Sequence, residues 1–307
     1  MDARLQPRSL QIISDSKQRE NAMPLLCELS KGTEFGHYKE EQWKFVLLAG
    51  DITLLVVSDG TATERFLGCL LRVGFGEEDA GYGMMLVSPA ARGLGIAKTL
   101  LATAMKLKPS QGLHILGMCS ELGAPMYKKM GYKSVASVTK VSAPLRFEPD
   151  TSAAPQLSFE LVVWPEGATE TLLRMDQRVT SLDRAHTIRA VVAASKLLVV
   201  ARERESSHAI GIALARCDAN ALVVGPIEGD ERCVLPLLAS LRSPALTADL
   251  QLDAISVLIA GHDALVSRLV AEAGFTVDFV NPTMTFGGVP LPGERSGYIG
   301  LIHPTIG

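Results

Sequence analysis

The chain repeats itself, and no other feature constrains its fold as strongly. The segment "ITLLVVSDGTATERFLGCLLRV" is followed by "AGYGMMLVSP", a helical stretch and "KKMGYKSV". Further on, "SKLLVVARERESSHAIGIALARC" is followed by "ANALVVGPI", a helical stretch and "AEAGFTVDF". The interval from Leu54 to Gly68 equals that from Leu197 to Gly211, and Pro89 and Pro226 stand in matching order ahead of Gly131 and Gly274. Aliphatic runs such as "LLVV" recur by chance, but a shared order of ten landmarks points to duplication. Between the copies, the proline-rich "APLRFEPDTSAAPQ" has no apolar period and reads as a linker. The expected domains are 1–145 and 155–307, joined by 146–154.

In copy one the periodicity predicts a strand at Ser9–Ile13, helices at Asn21–Lys31 and Glu40–Ala49, and a hairpin of Thr53–Ser58 with Arg65–Phe75. A strand at Gly81–Val87, a helix at Gly95–Lys108, a strand at Leu113–Cys119, a helix at Gly123–Met130 and a strand at Tyr132–Val141 follow. Antiparallel strands followed by strand–helix–strand–helix–strand give an α/β (α+β) fold, a mixed sheet with helices on both faces.

Composition narrows the function. With 47% apolar residues and only 5% aromatics, the core is aliphatic. A net charge of −3 with both signs dispersed argues against a nucleic-acid groove. The five cysteines are scattered without a CxxC pair, so reduced thiols in a cytoplasmic protein are expected, not disulfides or a metal site. The first residues lack the apolar core of a secretory signal. No stretch of about 18 apolar residues exists, so no membrane span is expected.

The chemistry concentrates at "LVSPAARGLGIAKTLLATAMK", where a strand breaks at Pro89 and a helix starts near Gly95. Glycines there let a ligand approach bare amides, and the helix directs its unpaired N–H groups and positive dipole end at that space. Such an arrangement binds phosphate, and Arg92 adds a cation. The stretch is neither a Walker loop, which needs Gly-Lys-Ser/Thr, nor a dinucleotide GxGxxG, because Lys98 holds the third glycine position.

Arg92, Gly95 and Ala97, preceded by Val87 and Pro89, resemble motif A of the GNAT N-acetyltransferase superfamily. "SELGAPMYKKMGYK" resembles its motif B through Ala124, Tyr127, Lys129, Gly131 and Tyr132. The resemblance implies tandem GNAT-like mixed sheets, acetyl-CoA as cofactor and no metal. It implies that the backbone of Arg92, Gly93, Leu94, Gly95, Ile96, Ala97 and Lys98 holds the pyrophosphate of acetyl-CoA. Amides of Leu86 and Val87, at a bulge in the fourth strand, are the implied donors to the acetyl carbonyl. Tyr127 takes the place of the general acid that protonates the departing sulfur. Ser120 stands where the family most often has asparagine, a departure at the pantetheine contact.

The base is not evident. An alkyl amine with a pKa of ~10.4 arrives protonated, yet the fourth strand carries no carboxylate and the fifth only His114. Glu77, Glu78 and Asp79 read as a solvated turn. His37, beside Glu34, is a weak candidate, and a water chain is the other. Cys119 reads as core.

Copy two departs where binding matters. Its counterpart loop, "IEGDERC", is acidic, and Val270 stands where the tyrosine was. Two carboxylates repel a phosphate but suit a bare helix N-terminus. "MDQRVTSLDRAHTIRAVV", through Asp176, Val179 and Arg184, and the tail "MTFGGVPLPGERSGYIGLIHPTIG" resemble a two-domain GNAT subgroup. In that subgroup the N-terminal domain is active and the C-terminal one degenerate. The second domain then either walls the acceptor pocket or is structural. The resemblance leads to an acetyltransferase acting on a primary amine, of a small molecule before a protein lysine or N-terminus, working as a monomer or homodimer. A module that binds acyl-CoA without turnover is the rival.

Overall fold

The computed structural model describes residues 9–33, 38–48, 51–61, 64–107, 112–146 and 158–304. His37, Glu34 and the expected linker beyond Arg146 lie outside the described residues. The chain forms two compact units, residues 1–133 with 284–289 and 304–306, and residues 134–283 with 290–303 and 307.

In unit 1, β1 (Ser9–Ile13), β2 (Asp51–Ser58), β3 (Phe66–Phe75) and β4 (Asp79–Val87) pair antiparallel in sequence. β5 (His114–Leu116) runs parallel to β4. The end of β12 (Thr276–Phe286), at Met284 and Thr285, closes the order antiparallel to β5. Copy one's own last strand, β6 (Tyr132–Pro144), passes after Lys133 into unit 2, where it pairs with β11 (Ala254–Ala260). The two final strands exchange places because each copy ends in the same kind of strand, so either can complete the other's edge. Chain order suggested a division at 145–155, whereas strand pairing draws the units.

All ten positions of β3 are buried, which requires cover on both faces. Leu55, Val57 and Leu67 meet Ile96, Leu100 and Leu101 of α3 (Ile96–Met105). Leu54 and Val56, pointing the other way by the two-residue period, are also buried, on the face toward α1 (Ser16–Lys31) and α2 (Glu40–Leu48). α1 begins five positions before the apolar pattern does, because Asp15 caps it by accepting the Gln18 amide at 3.0 Å.

The repeated landmarks Gly68 and Gly211 do the same job. A Cβ on Gly68 would meet Ile96 Cγ2 at 2.7 Å, and one on Gly211 would meet Cys233 Cβ at 2.9 Å. In each copy glycine lets the start of the following helix press onto the central strand.

Unit 2 repeats the layout with β7 (Phe159–Val163), α5 (Ala168–Thr180), α6 (Ala185–Ala194), β8 (Leu197–Glu203), β9 (Ala209–Asp218) and β10 (Ala221–Gly229). α7 (Val234–Leu241), α8 (Pro244–Thr247), β11, α9 (Asp263–Ala273) and β13 (Tyr298–Gly300) follow. Its sheet order is β6-β11-β13-β10-β9-β8-β7.

Asp176 and Arg184 form a buried pair at 3.5 Å, with both side chains under 4% exposed at 2%/3%. Arg184 also donates to the Tyr298 hydroxyl at 3.2 Å, and Arg295 lies 4.1 Å over the Tyr298 ring. Glu228 is buried in the same cluster, its carboxyl beside that of Asp176. Burial first, and the Asp176 carboxylate second, push the Glu228 pKa well above its ordinary 4.5, while Arg184 and Arg295 pull against this. A carboxyl whose folded pKa is raised costs stability once pH rises through the interval above 4.5 and costs nothing below it. Glu228→Gln is therefore expected to raise the thermal midpoint at neutral pH, and the gain should vanish as pH falls below the ordinary carboxylate range. An equal gain at both pH values would show that the charge is not the cause.

Candidate active site

The site in unit 1 begins with an irregular strand. Leu71 lies opposite Gly83 and Cys69 opposite Leu86, so Leu70 alone faces two residues, Met84 and Met85. This is a β-bulge, and Met84 takes the left-handed φ of 48°. The buried thiol of Cys69 donates to the Met84 carbonyl at 3.3 Å, and the Leu86 amide faces the β3 residue opposite it, Cys69. Both backbone groups therefore point toward β3.

In a trans peptide the carbonyl of one residue and the amide of the next point opposite ways. The amide and carbonyl of Met85 are consequently turned away from β3, toward the β5 side. The Ser88 amide donates to the Leu67 carbonyl at 2.9 Å, which by the same rule turns the Val87 carbonyl to the β5 side. β5 does not meet these groups. Its pairing with β4 ends where Tyr82 faces Leu116, and the strands part beyond it. The bulge thus falls earlier than Leu86 and Val87. The Leu86 amide, an expected carbonyl donor, faces Cys69 of β3, and the amides turned to the β5 side are those of Met85 and of Val87, the other expected donor.

The loop follows directly. Pro89–Ala91 makes a short 3-10 turn, and Gly93 and Gly95 both have φ 79°. A Cβ at either glycine would meet nothing within 4 Å, so backbone conformation and not packing demands them. Gly95 is the N-cap of α3, and no side chain caps that end. The first-turn amides of Ile96, Ala97 and Lys98 have no intrahelical acceptor and carry the positive end of the dipole. Arg92, Gly93, Gly95 and Lys98 are exposed, Leu94 and Ala97 half-buried, and Ile96 buried. These features fit a pyrophosphate.

Past β5 the chain turns into α4 (Ala124–Lys129). Ser120 Oγ accepts the Gly123 amide at 3.3 Å, and the Ser120 carbonyl accepts those of Gly123 and Ala124 at 3.1 and 3.0 Å. Ser120 therefore starts the helix that presents Tyr127. Gly123 has no room for a side chain, since a Cβ would meet Tyr127 Cε2 at 2.8 Å. Tyr127 packs edge-on against Tyr132 at 6.0 Å and shares one cluster with Met85, Val87, Leu94 and Cys119. That cluster gathers the bulge, the loop and the phenol, which are far apart in sequence. Burial above all, and the nearby Cys119, push the Tyr127 pKa up, so the phenol holds its proton at neutral pH. Burial pushes the Cys119 thiol up to about 12, which keeps it protonated and a poor nucleophile.

The carboxylates before β4 belong elsewhere. Glu77 and Glu78 are exposed, and Asp79 accepts the Leu113 amide at 2.7 Å, tying down the start of β5. His114, at that same end, meets the Tyr82 hydroxyl at 2.6 Å, and burial lowers its pKa. Among the described residues no group of three His, Cys, Asp or Glu could hold a metal. No described helix is long and apolar enough to cross a membrane.

Unit 2 answers each of these features differently. Pro226 does not correspond to Pro89. It lies inside β10 at a bulge, where Val224 faces Ala215 and Ile227 faces Ala213. The real counterpart of Ser88–Gly95 is the shorter run Asp230–Cys233 between β10 and α7. Asp230 caps it, accepting the Arg232 amide at 2.9 Å and the Arg232 guanidinium at 2.6 Å. Glu231 pairs with His262 Nδ1 at 3.1 Å. Beyond the bulge β13 enters between β10 and β11, with Gly300 opposite both Ile227 and Ile259. A strand of the chain itself thus fills the gap that β4 and β5 frame in unit 1. Val270 is 44% exposed on α9, so no phenol replaces Tyr127 there.

Residues 50–134 match the family described as "Acetyltransferase (GNAT) domain". No curated protein matches the sequence. Among solved structures, a putative acetyltransferase from Pyrococcus horikoshii aligns with TM-score 0.71 at 13% identity, over 98% of this chain and 96% of that one. A tandem GNAT protein from the clavulanic acid biosynthesis pathway aligns with TM-score 0.65 at 15% identity, over 92% and 100%. A GCN5-related glucosamine N-acetyltransferase region of a fungal multi-domain GH3 β-N-acetylglucosaminidase aligns with TM-score 0.65 at 12% identity, over 92% of this chain and 38% of that one. The chain carries a GNAT acetyltransferase domain within residues 50–134 and, over nearly its whole length, the fold of solved GNAT proteins, a tandem one among them.

Proposed function

We propose that unit 1 transfers an acetyl group from acetyl-CoA directly to a primary amine, and that the amine belongs to a small molecule. The observation that carries this reading is the Met85 amide, directed across the parting of β4 and β5, with the uncapped glycine loop at one end and Tyr127 beside it. Acetyl-CoA supplies a thioester carbon open to attack by the amine. The amides from Arg92 to Lys98 hold its pyrophosphate. The Met85 amide faces the carbonyl oxygen, where negative charge develops as the amine attacks. Tyr127, kept protonated by burial, gives its proton to the leaving sulfur. The small-molecule acceptor is supported by the two aligned structures named for clavulanic acid biosynthesis and for glucosamine acetylation.

The test is acetyl-CoA-dependent stabilisation followed by thiol release across a panel of small amines and lysine peptides. Stabilisation with release on small amines is expected. Stabilisation without release on any amine would instead make the protein an acyl-CoA sensor, and release only with peptides would move the acceptor to proteins. Tyr127→Phe is expected to lower kcat by about a hundredfold, at the lower end of general-acid effects. Acetyl-CoA affinity should stay unchanged, because the ring remains in place. Unchanged turnover in that variant would remove Tyr127 from the chemistry.

A further inference from the structure

At six residues, α4 is too short to hold itself in water. The direction of Tyr127 within it is therefore set by what holds its two ends. Ser120 holds the first through the Gly123 and Ala124 amides. The second is held by residues from the far end of the chain. Gly131 follows α4 with φ 95°, and its carbonyl accepts the Gly287 amide at 2.9 Å. A Cβ on Gly131 would meet Phe286 Cε2 at 3.0 Å, so this turn lies directly against the Phe286 ring. The ring also packs edge-on with Tyr132 at 5.6 Å, and Tyr132 packs edge-on with Tyr127 at 6.0 Å. It reaches β5 as well, edge-on with His114 at 6.1 Å, and Met284 and Thr285 just before it pair with Leu116 and Ile115. Gly287 and Gly288, with φ 71° and 79°, then turn the chain, and Thr285 Oγ1 closes the turn on the Val289 carbonyl at 2.7 Å. Phe286 is 41% exposed, so it adds less to the core than a fully buried ring would, for so many ordered contacts.

We infer that Phe286 is a positioning residue, whose ring, with the Gly287 amide, fixes the end of α4 against β5 and so holds the Tyr127 phenol at the β4–β5 gap. The role in turnover rests on the acetyl-transfer reading, while the anchoring of α4 stands apart from it. Edge-to-face contacts between rings have a preferred geometry, so the series Phe286, Tyr132, Tyr127 passes on orientation as well as contact. Truncating Phe286 empties the space beside Gly131 and Tyr132 and leaves α4 supported at one end. A catalytic group misplaced by about 1 Å can cost up to a hundredfold in rate. Pyrophosphate binding is left to the glycine loop of α3, so affinity for acetyl-CoA holds.

The experiment is a double-substitution cycle. Wild type, Phe286→Ala and Phe286→Tyr are each compared with and without Tyr127→Phe. Phe286→Ala should lower kcat by about tenfold while KM for acetyl-CoA holds, and Phe286→Tyr, which keeps the ring, should recover most of the loss. In the Tyr127→Phe background the same alanine should lower kcat by no more than about twofold further, because the group it positions is already gone. An equal loss in both backgrounds overturns the positioning role, since the damage would then not pass through Tyr127. Hydrogen exchange at the Gly287 amide should quicken by about tenfold or more in Phe286→Ala, with the amides of β2 unchanged. Unchanged Gly287 exchange overturns the anchor even in an active acetyltransferase. Where Phe286→Ala unfolds early, Phe286→Leu carries the same cycle at a matched thermal midpoint. If Tyr127→Phe alone turns over as wild type, the acid role of Tyr127 falls and the positioning role with it. If wild type shows neither acetyl-CoA stabilisation nor turnover, the acetyl-transfer reading falls, while the exchange result still decides the anchor.

Discussion

Gly95→Asp is expected to weaken acetyl-CoA binding by about a thousandfold, with the fold of unit 1 intact. One physical term falls on the fold, and a second, larger one sets the loss in binding. Gly95 has φ 79°, where an ordinary side chain costs about 1–2 kcal/mol. The new carboxylate would lie at the uncapped start of α3, within reach of any phosphate held there. Two like unit charges about 4 Å apart at a protein surface repel by roughly 4 kcal/mol. Nothing lies within 4 Å of a Cβ placed at Gly95, so the substitution meets no protein atom. Gly95→Asn separates the two terms, because asparagine tolerates the left-handed region and is neutral. It should lose far less affinity than the aspartate. Calorimetric titration with acetyl-CoA gives both values, and an aspartate variant that binds as wild type would remove the loop from the cofactor site. Unit 2 already contains a version of this change, since Asp230 takes the Arg232 amide with its own carboxylate.

Arg184→Met should destabilise unit 2 by about 3–5 kcal/mol, the usual cost of breaking a buried ion pair. For a unit of this size that is roughly 10 °C in the unfolding midpoint. Asp176 would lose the cation 3.5 Å away, and Glu228 the stronger of the two cations that favour its charged form. The Tyr298 hydroxyl would lose its 3.2 Å donor, loosening β13. The prediction has an internal check. Replacing the whole cluster together, as Asp176→Leu, Arg184→Met, Glu228→Met and Arg295→Met, should recover much of the loss, because no uncompensated charge of the cluster then stays buried. Differential scanning calorimetry decides it, and a single variant that melts with wild type would mean that the cluster is not closed to water.

The two predictions divide in how far the chain announced them. Arg92, Gly95 and Ala97 were legible as a glycine loop at a helix start because such a loop is local. A few consecutive residues set the backbone conformation and expose the amides, and copy two supplies the contrast. Tyr127 was legible for the same reason, from its place in a short helix. Asp176 and Arg184 stood out as a pattern, yet nothing in that pattern said they were buried together with Glu228, which lies on β10. The bulge was expected two residues late. Its position depends on how β3 and β4 align, and a ladder register is a relation between segments that neither one encodes alone. The residue opposite "MM" is Leu70, and one leucine in an apolar run carries no mark of a bulge. Pro226 misled for a related reason, because matching prolines by order ignores that one ends a strand and the other sits inside one.

What the sequence by itself determined is the local part: a duplicated α/β layout, the glycine loop at the head of α3, the tyrosine of α4 and the acidic replacement in the second copy. Each follows from near neighbours, since helix ends, turns and apolar periods are set within a few residues. What only the tertiary structure decided is where distant segments meet. The end of β12 closes the sheet of unit 1 while β6 joins that of unit 2, and β13 fills the gap between β10 and β11. Strands with the same alternation compete for the same edges, and their pairing is settled by the packing of the whole chain.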